Sequence, residues 1–266
     1  MSPVNPVSKN AGGFKYQNSE FIHADDESED CLFLNVHTPT VTPGKKEGLP
    51  VVVNVHGGGY TMGALYGGPI EGFYDGNSLI THSGNGLVVV TIQYRLGVFG
   101  FLAGDEVKAA GALNAGLLDQ QFAFQWVQEH ILKFGGDPTK VTIWGQSAGA
   151  GSVLQHLIAN GGQTNPPLFR AAIINSVFLP SQYVYNDPIP KAIYTEVVSQ
   201  ANCSSSSDTL GCLRKAEVTV LATAHKSIGR ATFFGTFIPV PVVDGTFITQ
   251  SPLKALKAGK LNTVNK

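Results

Sequence analysis

The residues best suited to chemistry lie in "VTIWGQSAGAGSVLQHL", residues 141–157. A short apolar stretch runs to Trp144, and a helical pattern resumes after Ser147. Ser147 stands in the pattern Gly145-Gln146-Ser147-Ala148-Gly149. A serine on a sharp strand-to-helix turn presents its hydroxyl for attack on an acyl carbon. Gly-x-Ser-x-Gly alone is a loose pattern, and a plain glycine-rich turn would also satisfy it. The strand before and the helix after make it specific, and Ala148, Gly149 and Ala150 let that helix begin close to the strand. A second element is "VHGGGY", residues 55–60. A phosphate loop would need a following Gly-Lys-Ser or Gly-Lys-Thr, which is absent. Acyl transfer instead puts negative charge on a former carbonyl oxygen, and fixed backbone N–H groups stabilise it. Gly58 and Gly59 would supply two such donors and Ala148 a third. Glycine lets the backbone approach a substrate with no side chain in the way.

A serine hydroxyl is a poor nucleophile without a base, usually a histidine oriented by a carboxylate. In this strand–elbow–helix arrangement the chain order is Ser, then Asp or Glu, then His. Only His156 and His225 follow Ser147. His156 falls in the helix right after the serine, too close in sequence to swing back over it. His225 is preceded by Asp187, Glu196, Asp208 and Glu217, so an in-order triad can be written, although no motif supports it. Asp244, in "VVDG", has no histidine after it and reads as a turn aspartate before glycine. His56 heads the glycine loop and reads as a loop-supporting residue rather than a base. His23, His37, His82 and His130 have no partners that single them out.

These residues need a frame to hold them. "LPVVVNVHGG" and "GLVVVTIQYR" are continuous apolar runs, as for strands buried on both faces. "CLFLNVHTP" (31–39) alternates like a half-buried strand, and "TPGKKEG" reads as a turn. A glycine-rich loop spans 57–76. "NAGLLDQQFAFQWVQEHILKFGG" predicts a long amphipathic helix. Its apolar stripe is read through Leu118, Phe122 and Trp126, continued by Ala123, Val127 and Ile131. Gly135 and Gly136 would end it, and "DPTK" would turn into the serine strand. "RAAIINS" (170–176) is a further strand. Alternating strands and helices predict an α/β fold with a mainly parallel sheet covered on both faces. Beyond about residue 180 the pattern weakens. "IPKAIYTEVVSQANC", "TLGCLRKA" and "SPLKALKAG" read as helices and "FIPVPVVDG" as extended chain. Residues 1–28 read as a loose segment and 29–266 as one partial domain, with no clear linker.

The chain has 266 residues, 43% of them hydrophobic, 14% charged, and a net charge of −1. That composition can bury a large core. It carries no basic stripe for nucleic acid. The apolar runs are too short to span a bilayer. The first twenty residues lack the apolar core of a secretory signal. The cysteines point the other way. Cys203 and Cys212 bracket a short polar loop with no further ligand to complete a zinc pattern. A small disulfide loop is preferred over two free thiols. Asn202-Cys203-Ser204 is also an N-glycosylation sequon. Cys31 is left over.

Taken together, the motifs resemble the type-B carboxylesterase/lipase family, which includes cholinesterases and fungal extracellular lipases. The resemblance rests on "SEDCLFLNVHTP", "VVVNVHGGGYTMG", "TIQYRLGVFGFL", "NAGLLDQQFAFQWVQEHILKFGGDPTKVTIWGQSAGAGS" and "PVVDG", and covers most of the chain from about residue 28. It implies an α/β-hydrolase fold, Ser147 as acyl nucleophile, and Gly58, Gly59 and Ala148 as oxyanion donors. It also implies a lipid or small ester as substrate, no metal or organic cofactor, and an extracellular location. The family carries a disulfide loop like Cys203–Cys212, and pairs a cysteine like Cys31 with one upstream that is absent here. Gln146 stands where cholinesterases have glutamate, which weighs against a cationic choline substrate. In the family the glutamate and histidine come from the later half of a chain about twice this long. The expectation is therefore an N-terminal and central portion of the fold, with the triad acid and histidine outside it. Such a portion would leave apolar sheet edges and faces uncovered. The competing readings are an inactive fragment, a cholinesterase-like binding module, and a compact hydrolase using His225. Retention of Ser147 speaks against a binding module, which does not need it.

Overall fold

The computed structural model describes residues 28–39, 48–64, 76–233 and 235–262. Residues 1–27 of the segment read as loose, 42–47 of the one read as a turn and 65–75 of the glycine loop lie outside the described residues. Five strands form one sheet: β1 (Leu34–His37), β2 (Leu49–Val55), β3 (Val88–Ile92), β4 (Gly136–Gln146) and β5 (Ala171–Asn175), in the order β1-β3-β2-β4-β5. β1 runs antiparallel to β3, and the other pairings are parallel. The apolar runs become the central strands because they are buried on both sides. β3 is buried at every position, and Val51, Val53 and Val55 of β2 are fully enclosed. β4 begins at Gly136, so 137–140, read as a turn, belongs to the strand.

The sheet is packed by α4 (Ala115–His130) and α5 (Ala148–Ile158). Shorter helices precede them: α1 (Gly76–His82), α2 (Gly97–Phe101) and α3 (Asp105–Ala109). The buried stripe of α4 agrees with the sequence reading at Val127 and Ile131 and differs from it nearer the start of the helix. Leu117, Gln120, Phe124 and Val127, followed by Ile131, face the core, while Phe122 is 68% exposed and Leu118 36%. The helix carries two apolar stripes, and i, i+4 spacing cannot choose between them. Contact at its first turn does: a Cβ on Gly116 would meet Arg95 and the Phe101 ring, so that side of the helix lies flush on the core.

A second apolar cluster lies under the later helices, α6 (Pro188–Gln200), α7 (Thr209–Leu213) and α8 (Val218–Arg230). α6 and α7 were legible, but α8 was not. Its β-branched residues have low helix propensity. It is recruited by burying Ala224 and Ile228, with Leu221 packed beside them. α9 (Pro252–Lys257) follows the extended 237–245 stretch, which bridges to Val184 through Val243. Cys203 and Cys212 form a disulfide, with Cα atoms 5.7 Å apart. Cys31 is a free thiol, its pKa raised chiefly by burial. No helix among the described residues is long and apolar enough to cross a membrane.

Candidate active site

Parallel register brings the two motifs together. Val55 of β2 pairs with Gly145 of β4. The chain leaves both strands at the same sheet end, so the His56–Gly57 pair emerges beside Gln146 and Ser147. Ser147 has φ 57° and ψ −122°. A non-glycine residue held there costs on the order of 1–3 kcal/mol, which its surroundings must supply. They do so through the backbone. Ser147 N donates to Asn175 O (3.1 Å), and Ser147 O accepts from Gly151 N and Phe178 N (3.0 Å each). The flanking glycines are steric necessities. A Cβ on Gly145 would run into the Gly149 backbone, and one on Gly149 into the Val55 carbonyl oxygen. The helix start is thus pressed against two strand ends. Ala148 is fully buried and opens α5. Its N–H belongs to the first helical turn, where no intrahelical carbonyl is available.

The glycine loop lies on this elbow. A Cβ placed on Gly57 would stand 3.2 Å from Ser147 Cβ and 3.7 Å from Ala148 N. Gly58 and Gly59 take φ values of 107° and 64°, and Tyr60 follows at 67°. Thr61 N and Met62 N donate to Gly58 O at 3.1 and 3.0 Å, and Gly97 N donates to Tyr60 O at 2.8 Å. This leaves the loop little freedom.

Two side chains fix it further. His56 is buried and stacks on Tyr94 with centroids 4.4 Å apart. Burial lowers its pKa to about 4, so the ring is neutral at neutral pH. Its Nδ1–H donates to Gly57 O at 2.8 Å, and Tyr94 Oη donates to His56 O at 2.8 Å. His56 therefore supports the loop, as read. Tyr60 was read only as the end of the loop. Its ring is fully enclosed, 5.1 Å from Phe101 between centroids, and burial raises its pKa. The phenol oxygen occupies the place a Cβ on Gly151 would take. Gly151 of α5 is thus a socket for Tyr60, joining the loop to the elbow helix. Phe237 is a second residue that sequence reasoning missed: its ring fills the space over Gly59 and packs edge-on against Phe178 (5.5 Å). Neither contact has a local sequence signal, since both join segments far apart in the chain.

The two histidines after Ser147 are held by contacts of their own. His156 Nε2–H donates to Gln120 Oε1 at 3.0 Å, and Gln120 Nε2 donates to Ser152 Oγ at 3.1 Å. Burial lowers the His156 pKa to about 3, so it is a neutral core group. His225 packs against Gly97, its Nε2 3.4 Å from Thr61 O. Three of the four carboxylates between it and Ser147 are engaged locally. Asp187 caps α6 by accepting from Ile189 N (3.1 Å), and Asp208 caps α7 by accepting from Gly211 N (2.8 Å). Glu196 accepts from Gln200 Nε2 at 2.6 Å, whereas Glu217 stands at the N-cap position of α8 without a side-chain cap hydrogen bond. Asp244 is the turn aspartate it was read to be. It is buried, accepts from Thr246 N and Oγ1 (2.6 and 2.8 Å), and bonds to Asn114 at the start of α4.

A mainly parallel sheet, with helices packed on it and a strand–serine–helix turn at the C-terminal end of its strand β4, defines an α/β-hydrolase fold. Within that class the chain belongs to the carboxylesterase family, whose sequence profile matches residues 4–265. It is 39% identical over 241 residues to Secreted lipase 1 of Botryotinia fuckeliana, covering 87% of this chain and 40% of that protein. Lipase 4 of Diutina rugosa is 41% identical over 248 residues, covering 89% of this chain and 43% of the relative. The crystal structure of Aspergillus niger EstA superposes with a TM-score of 0.77 at 36% identity, covering 90% of this chain and 45% of that one. The chain thus spans less than half the length of these relatives.

Proposed function

We propose that Ser147 is the acyl nucleophile of a carboxylic ester hydrolase. In this reading Gly58, Gly59 and Ala148 donate their N–H groups to the oxyanion. The single observation that carries it is the strained Ser147 backbone, packed beneath a glycine loop in matched register. Attack of Oγ on the ester carbonyl would form a tetrahedral oxyanion, and loss of the alcohol would leave an acyl-enzyme for water to cleave. Loss of one oxyanion donor costs on the order of 3 kcal/mol of transition-state stabilisation. The Phe178 and Phe237 rings beside the loop suit an apolar substrate group. No metal or organic cofactor enters these steps. The triad acid and histidine are assigned outside this chain, in the part of the family fold that has no counterpart here. Three relatives are named secreted lipases, which with the disulfide supports an extracellular ester hydrolase.

The binding-module reading is weaker, because recognition alone gains nothing from a serine held at positive φ. Turnover of a short-chain aryl ester by this chain, by Ser147→Ala and by His225→Ala tests the proposal. Very slow turnover by this chain is expected, since general-base help is worth roughly 10²–10⁴-fold. Fast turnover lost in both variants would show a complete triad here and overturn the assignment.

A further inference from the structure

We propose that Asn202 is an N-glycan acceptor, and that the glycan is attached before the Cys203–Cys212 disulfide closes. Asn202-Cys203-Ser204 is the sole Asn-x-Ser/Thr triplet in the sequence. Neither the elbow nor the glycine loop uses it. Asn202 lies just past the end of α6 at φ 56°, in the left-handed region that asparagine tolerates best after glycine. Asn202, Ser204 and Ser205 are exposed, so a glycan there meets solvent without disturbing the core. An independent observation points to the compartment where such transfer occurs: the Cys203–Cys212 bond, of a kind that persists in oxidising, secretory surroundings.

The same disulfide sets the order of events. Cys203, the middle residue of the triplet, is 1% exposed. Its N–H donates to Val198 O at 2.9 Å, and Asn202 N donates to Ser199 O at 3.1 Å. An acceptor triplet must offer its amide and hydroxyl together on accessible backbone. In the folded protein both backbone N–H groups are tied to the last turn of α6 and the central side chain is locked to Cys212. The triplet is therefore available only while the chain is still open here. Transfer joins Asn202 Nδ2 to the anomeric carbon of a lipid-diphosphate-linked oligosaccharide. The carbon–oxygen bond to the diphosphate breaks, the diphosphate leaves with the electron pair, and one Nδ2 proton goes to base. Bond formation between Cys203 and Cys212 competes with that step.

The test is to express the full chain in yeast behind a cleavable secretory leader and measure glycan occupancy by mass spectrometry, with and without peptide N-glycosidase. The wild type should be partly occupied at Asn202, and Asn202→Gln and Ser204→Ala unoccupied. Cys212→Ser should raise occupancy several-fold. Retained intracellular protein is analysed as well as secreted protein, so a variant that folds poorly still reports. An unmodified wild type and Cys212→Ser would overturn the acceptor assignment. Equal occupancy in those two would overturn the competition with disulfide closure. A leaderless arm, reporting only on the chain's own entry into the secretory pathway, tests the extracellular reading separately.

Discussion

β4 and β5 are neighbours in the sheet, paired in parallel from Thr142–Ala171 to Gln146–Asn175, yet their surroundings are opposite. On β4, Val141 and Ile143 are fully enclosed. On β5, Ile173 is 46% exposed and Ile174 39%, and among the described residues the strand pairs on one edge only. Both strands serve Ser147. β4 delivers it, and β5 receives its N–H at Asn175 O. The enclosed strand thus contributes packing and the open one a backbone hydrogen bond. The elbow is built by packing on the β2–β4 side, while the β5 side presents apolar surface that the described residues do not cover. Such surface is an aggregation liability in isolation.

Steric change at the elbow should give the largest effect. Gly149→Val places atoms where the Val55 and His56 carbonyls lie and should cost about 4 kcal/mol in urea unfolding, at the upper end for overpacking. Gly84 has positive φ but open space around it, so Gly84→Ala should cost only about 1 kcal/mol from backbone conformation. Equal costs would show that contact at the elbow is not what demands glycine.

The strand comparison is sharpened by paired truncations. Ile143→Ala on β4 should lose about 3 kcal/mol, as for a buried isoleucine. Ile174→Ala on β5 should lose less than about 1 kcal/mol, and Ile174→Lys should improve solubility in a sedimentation assay. Losses of similar size would break the contrast.

Reducing the disulfide should cost about 2–3 kcal/mol from the entropy of its short loop. Cys31→Ser should change stability by under about 0.5 kcal/mol. Peptide mapping that joined Cys31 to Cys203 or Cys212 would contradict the pairing.

Acid should weaken the packed side through its neutral histidines. His56 and His156 have folded pKa values of about 4 and about 3, both lowered from 6.5 by burial. Between those values and 6.5 the unfolded chain binds more protons, so stability falls as pH drops through that window. By pH 5 each histidine should account for about 2 kcal/mol of the loss. His156→Gln should flatten the acid limb in a stability–pH series.

The elbow and the glycine loop were legible because their demands are local. A glycine is required wherever two backbones touch, and buried parallel strands declare themselves as unbroken apolar runs. The register that places Gly57 on Ser147 then follows from two strands that end together. The outward stripe of α4 was misread because Leu117–Phe124 and Leu118–Phe122 offer two faces, and only contact with Arg95 and Phe101 selects one. α8 was missed because its valines and threonines favour strands, and burial of Ala224 and Ile228 overrides that preference. Tyr60 in the Gly151 socket and Phe237 over Gly59 join residues about 90 and about 180 positions apart in the sequence. No local pattern encodes them.

The central proposal is that Ser147 is a prepared nucleophile whose base this chain does not supply. The most direct measurement is the rate at which an aryl fluorophosphonate modifies Ser147 as imidazole is added, with the adduct located by mass spectrometry. The account predicts slow modification without imidazole, a rise on the order of tenfold or more with it, and no adduct at this position in Ser147→Ala. Absence of an adduct on Ser147 at every imidazole concentration would contradict the nucleophile. Fast modification without imidazole, abolished by His225→Ala, would contradict the missing base.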